Sequence, residues 1–132
     1  MGKTIEKVKL WNIFDEEKVI EVEAQIDNGA TTVVLPKKIA GELKLPIVRQ
    51  TWVKYANDLR EKKDVARGLI IEIKGRSTIC EAIIEPKREE PLVGQFVLEM
   101  LDLWIDSKNG QLMPNPESPD APMLEALLAG HP

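Results

Sequence analysis

Ile26-Asp27-Asn28-Gly29-Ala30-Thr31, running on into Thr32-Val33-Val34-Leu35-Pro36, is an apolar strand pattern broken by one acid and a glycine. An ionised carboxylate in dry surroundings must find donors, a counter-charge or a proton, so an aspartate between two apolar strands calls for a chemical reason. Catalysis is one such reason. A plain β-hairpin is the other, because Asn28-Gly29 readily takes the positive φ angles of a type I′ turn and would leave Asp27 at the surface. At this point both readings stand.

Outward from that stretch, the chain reads as strands with few helices. Lys3 to Trp11 alternates Ile5, Val8 and Leu10 with charged residues, and Lys18 to Ile26 alternates more cleanly, so both predict strands joined through a solvated turn over 12–17. Pro36 suits the first turn of a short helix that buries Ile39, Ala40 and Leu43 and ends at Pro46. Thr51 to Ala56, Gly68 to Lys74 and Ser77 to Glu85 predict further strands. The charged run from Asn57 to Arg67 reads as a solvated arm outside the core, or as a mobile hairpin that closes over a cleft. Leu92-Val93-Gly94 leads into a helical pattern carrying Phe96, Val97, Met100 and Leu101, and Leu103-Trp104-Ile105 returns through Asn109-Gly110 into Gln111-Leu112-Met113. Residues 1–113 therefore read as one domain. Residues 114–132 read as a Pro-rich tail, with Met123 to Leu128 as a short helix that is either disordered or docks on a partner subunit. The pattern predicts a mainly β, closed antiparallel barrel-like domain with one or two short helices.

Composition excludes several chemistries. The chain has 132 residues and a formal net charge of -4, which fits one modest core and argues against a nucleic-acid binder, whose affinity comes from clustered cations. No apolar run approaches the roughly 20 residues that cross a bilayer, and the first residues lack the apolar middle of a secretion signal, so no membrane partner and a cytoplasmic location are expected. The single cysteine, Cys80, forbids an internal disulfide and reads as a small buried side chain. The single histidine, His131, leaves no Ser-His or Cys-His pair and too few ligands for a structural zinc. Carboxylate chemistry remains.

With these segments placed, residues 1–113 resemble the retroviral-type (retropepsin-like) aspartic peptidases, and in particular their stand-alone prokaryotic relatives. Ile26-Asp27-Asn28-Gly29-Ala30-Thr31 through Leu35-Pro36 is similar to the family's Asp-Thr/Ser-Gly-Ala loop, with Asn28 in place of the hydroxyl residue. Val53-Lys54-Tyr55-Ala56-Asn57-Asp58 is similar to the strand and tip of the family's flap, without its usual tip glycine. Leu92-Val93-Gly94 before a helix, then Leu103-Trp104-Ile105-Asp106 and Gly110-Gln111-Leu112, is the third match.

The resemblance implies an acid protease fold, a homodimer and a peptide or protein substrate. Asp27 is then the catalytic residue, one from each subunit, with Asn28, Gly29, Ala30 and Thr31 as the supporting loop and Tyr55, Ala56, Asn57 and Asp58 as the flap. Two facing carboxyls cannot both ionise cheaply and share a proton. One draws a proton from a water that attacks the peptide carbonyl, and the other donates to the developing oxyanion. No metal or cofactor is implied. The resemblance also implies that Leu35, Ile47, Ile84 and Val93 line pockets, although each reads equally well as core, as do Trp11, Trp52 and Trp104. The competing reading keeps the scaffold without the chemistry, as a module for dimerisation or peptide binding. A remoter alternative is an unrelated small barrel, a monomer with Asp27 exposed on a hairpin.

Overall fold

In the computed structural model, which describes residues 3–126, nine strands and two helices follow one another along the chain. These are β1 (Thr4–Asn12), β2 (Asp15–Ile26), β3 (Val33–Pro36), α1 (Lys37–Glu42), β4 (Ile47–Lys54), β5 (Arg60–Ile73), β6 (Arg76–Glu85), β7 (Leu92–Val93), α2 (Gln95–Leu101), β8 (Leu103–Asp106) and β9 (Gln111–Pro114). Seven strands form one sheet in the order β1-β2-β7-β3-β6-β5-β4, and a further β1–β5 pairing closes six of them into a ring. The mainly β, closed architecture expected from the pattern is present. Most ladders are antiparallel, but β2–β7 and β3–β6 are parallel.

Inside the ring, alternation sends one face of each strand inward. Val8 and Leu10 of β1, Val33 and Leu35 of β3, Leu69, Ile71 and Ile73 of β5 and Val93 of β7 are essentially without solvent contact. Each such side chain contributes about 1.5–3 kcal/mol relative to exposure. α1 and α2 close the core with Ile39, Ala40, Val97, Leu98 and Leu101. Pro36 stands at the N-cap of α1, where its missing N–H costs nothing.

Three expectations change. The turn between the first strands is short, because β2 starts at Asp15 and its charged beginning projects as a solvated ribbon beside β1. Only Ala24 and Ile26 of β2 are buried. The charged run over 57–67 is also no loop: from Arg60 it is strand, paired with β4, and its Val65 and Ala66 join the buried residues. Cross-strand pairing satisfies that backbone while the charged heads stay in water.

Over its described part the tail is ordered against its own chain rather than disordered. Asp102, at φ 55°, accepts hydrogen bonds from Ser118 Oγ, from Asn115 Nδ2 at 3.1 Å and from the Met123 amide at 3.1 Å. Arg76, only 6% exposed, donates to the carbonyls of Leu101, Asp102 and Ser118. The chain is thus tied back onto its own α2 and β6. No helix forms over Met123 to Ala126, and the rest of the helix expected there lies outside the described residues.

Candidate active site

The Asp27 loop sits where the sheet inserts β7 between β2 and β3. Gln25 and Ile26 pair with Leu92 and Val93, and Val34 pairs with Leu92 from the other side, so residues 27–32 must cross over the end of β7 to reach β3. That crossing fixes the loop. The Asp27 amide donates to Val93 O at 2.9 Å, the Gln95 amide to Ala30 O at 2.7 Å and the Phe96 amide to Thr31 O at 2.9 Å. Gly94 makes the approach possible, since a Cβ there would lie 2.5 Å from Ala30 O and 2.6 Å from Thr32 O. Thr32 Oγ1 anchors the exit by donating to Glu81 O at 3.0 Å.

Within the loop, Asp27 Oδ1 accepts the Gly29 amide at 2.8 Å, and Ala30 N donates to Asp27 O at 3.1 Å. A Cβ on Gly29 would stand 3.1 Å from that same carboxylate oxygen, so the glycine lets amide and acid meet. Neither Asn28 nor Gly29 has a positive φ, and β2 does not pair with β3, so the type I′ hairpin is ruled out. Asp27 is half-buried, with Asn28 and Gly29 exposed beside it. The carboxylate is therefore held in a hydrogen-bonded frame while staying partly open to solvent.

Tyr55, Ala56, Asn57 and Asp58 form the tip of the β4–β5 hairpin. Tyr55 N donates to Leu59 O and Asp58 N to Tyr55 O, both at 2.9 Å, and Asn57 Oδ1 accepts the Leu59 amide at 3.2 Å. Asp58 itself takes the left-handed conformation, at φ 65°, that a tip glycine would supply. Among the described residues no hydrogen bond joins this tip to the Asp27 loop. Tyr55 turns instead towards Glu85, with its hydroxyl 3.5 Å from Oε1.

Glu85 also receives Lys63, whose Nζ lies 2.7 Å from Oε2 and 3.2 Å from Glu61 Oε1. The hydrogen bond to Glu85 holds the Lys63 ammonium well above the usual lysine range against an opposing cost of burial. Burial, followed by the charge of Glu85, pushes the Tyr55 hydroxyl up as well. This polar clamp gave no signal in the sequence, because Lys63 and Glu85 lie in separate charged stretches and meet only when β5 pairs with β6.

Leu35, Ile84 and Val93 prove to be core, whereas Ile47 is half exposed. Trp52 and Trp104 are surface residues rather than packing ones, and Trp52 carries the Lys62 ammonium 5.6 Å over its ring. Among the described residues, no three His, Cys, Asp or Glu side chains gather as metal ligands, and no helix is long and apolar enough to cross a membrane.

No protein-family model and no curated protein matches the chain. Among solved structures it is similar to the protease of simian foamy virus (mac), in its solution structure, with a TM-score of 0.52 and 17% identity over 71% of this chain and 90% of that one. The chain has the retroviral protease fold. At that identity the likeness speaks for the fold, and the residues of the site must carry the chemistry.

Proposed function

We propose that the chain is one subunit of a homodimeric aspartic endopeptidase, in which the two Asp27 carboxyls hydrolyse peptide bonds through an activated water. The observation that supports this reading is the framed carboxylate: three backbone hydrogen bonds and the close pass over Gly94 hold a loop whose acid is partly exposed and accepts the Gly29 amide. Such rigidity is what positioning a reacting group requires. One chain supplies one such acid, and acid–base catalysis by carboxyls needs two with opposed protonation states. The β8–β9 pair forms its own two-stranded sheet with unpaired outer edges and a half-exposed Trp104, which suits it to meet a second copy. With Asp27 facing its twin, the ionised acid takes the water's proton while the protonated one donates to the carbonyl oxygen and later helps protonate the leaving nitrogen. Each subunit supplies one acid and its loop, and the likeness of residues 26–36 to the loop of stand-alone prokaryotic members of the family supports placing the chain among them. Asn28 keeps a donor and an acceptor where a hydroxyl would bridge the two loops.

The second reading, a peptide-binding module, is favoured by Asn28 and by the absence of a tip glycine in the hairpin. Incubating a mixed peptide library with wild type and with Asp27→Asn, and following products by mass spectrometry, separates the two. Cleavage by wild type that vanishes in Asp27→Asn is expected, and no cleavage by either leaves the binding module.

A further inference from the structure

β6 is paired with β5 over most of its length, but with β3 only over Ala82 to Glu85, because the chain ahead of Val33 leaves the sheet to form the Asp27 loop. The β6 edge from Ser77 to Glu81 therefore has no strand partner on that side, and although the Thr32 hydroxyl takes Glu81 O, the other unpaired backbone groups on such an edge are a template for an added strand. Alongside it lies a groove of about 550 Å³, within the size range of side-chain and ligand pockets. Phe14, Ile79 and Phe96 line it while remaining 68%, 48% and 42% exposed. Cys80 lines it with a thiol that burial keeps protonated. Gly68, at φ 79°, lets the β1–β2 turn close one end, since a Cβ there would stand 3.1 Å from the Phe14 ring.

Charge in the groove is one-sided. Glu81 is taken by Arg49 at 2.7 Å, whereas the Arg67 guanidinium, 5.7 Å over the Phe14 ring, has no carboxylate partner among the described residues. Asp15, Glu16 and Glu17 follow Phe14 in sequence but none lines the groove.

We propose that this groove binds an extended peptide segment, which adds as a strand along Ser77–Glu81, seats one large apolar side chain between Phe14 and Phe96, and sets an acidic residue against Arg67. Backbone pairing supplies affinity in this mode, and the alternate side chains supply selectivity. Asp27 does not line the groove, so the site is separate from the catalytic carboxylate. It is nonetheless joined to it, because Thr31 and Thr32 form one wall and the Phe96 amide holds Thr31 O. The proposal requires no hydrolysis and stands for a peptidase and for a binding module alike.

The test is an amide NMR titration of the full isotope-labelled chain carrying Asp27→Ala, which prevents cleavage of the probe. The probe is the capped peptide Thr-Val-Phe-Asp-Thr, with Thr-Val-Phe-Lys-Thr as its counterpart. Saturable shifts are expected at Gly68, at Ser77 to Glu81 and at Phe96, with the aspartate probe binding several-fold more tightly than the lysine probe. Ile79→Lys should weaken binding by about tenfold, and Arg67→Glu should reverse the order of the two probes. Both residues are exposed, and the amide spectrum of each variant reports directly that it is folded. Three results would overturn the proposal: no saturable shift at millimolar probe, shifts confined to Asp27–Thr31 and Tyr55–Asp58, or shifts at the β6 edge that follow protein concentration without probe, which would make a second copy the occupant.

Discussion

Gly94 and Asp27 are one device at the residue scale: the acid can be framed only because the residue beneath its loop has no side chain. Gly94→Ala places a methyl group within 2.6 Å of two carbonyl oxygens, so the loop must lift or β7 must shift. A loss of about 1–3 kcal/mol is expected from such overpacking, read as a lowered urea midpoint, together with loss of any hydrolysis. Asp27→Asn keeps an oxygen for the Gly29 amide and should leave that midpoint within about 0.5 kcal/mol of wild type. Cys80 makes a different statement. Burial, with a smaller push from Glu81, raises its thiol from 9.0 to about 12, so the folded state holds its proton where the unfolded state has lost it. Its contribution to stability is whole below pH 9.0 and is lost as the pH rises towards about 12. The thiol should therefore resist a disulfide reagent at pH 8 in the native protein and react at once in guanidinium.

The β4–β5 hairpin shows at the level of the element what sequence patterns reveal and what they hide. Period-two apolar residues made β1, most of β2, the second half of β5 and nearly all of β6 legible, and the Asp-Asn-Gly-Ala loop with Leu92-Val93-Gly94 made the framed acid legible. The first half of β5 was hidden because a hairpin solvated on both faces has no apolar alternation to report. The clamp beneath it was hidden because Lys63 and Glu85 are made partners by strand register alone. With side-chain exposures of 11% and 13%, this ion pair is nearly dry, and removing one partner strands the other. Lys63→Met should cost on the order of 3 kcal/mol, and the double change Lys63→Met with Glu85→Leu should recover most of it. Because the Lys63 pKa is raised on folding, the contribution of the pair is complete below the ordinary lysine range and fades as the pH climbs above it. A chemical-denaturation series from pH 7 to 11 checks the sign, with Lys63→Met showing the flatter profile.

For the molecule as a whole, the decisive quantity is how many chains make one site. On the proposed reading, a chain that presents a single framed acid hydrolyses a peptide only when a second copy brings the opposing carboxyl, so activity is expected to follow the concentration of dimers rather than of chains. Dilution is one way to see this, but a change in stability would mimic it. Mixing avoids that ambiguity, because on the proposed reading Asp27→Ala is expected to fold and pair as the wild type would while its dimers with wild type hold one carboxyl. If subunits exchange freely and equal amounts are mixed, roughly a quarter of the dimers carry both acids, so the activity per wild-type subunit should fall to about half. A large excess of the variant should extinguish it. An enzyme that worked as a monomer, or one whose catalytic groups lay elsewhere in the chain, would keep its full activity at every ratio, and the pairing of Asp27 across a twofold axis would then have to be abandoned.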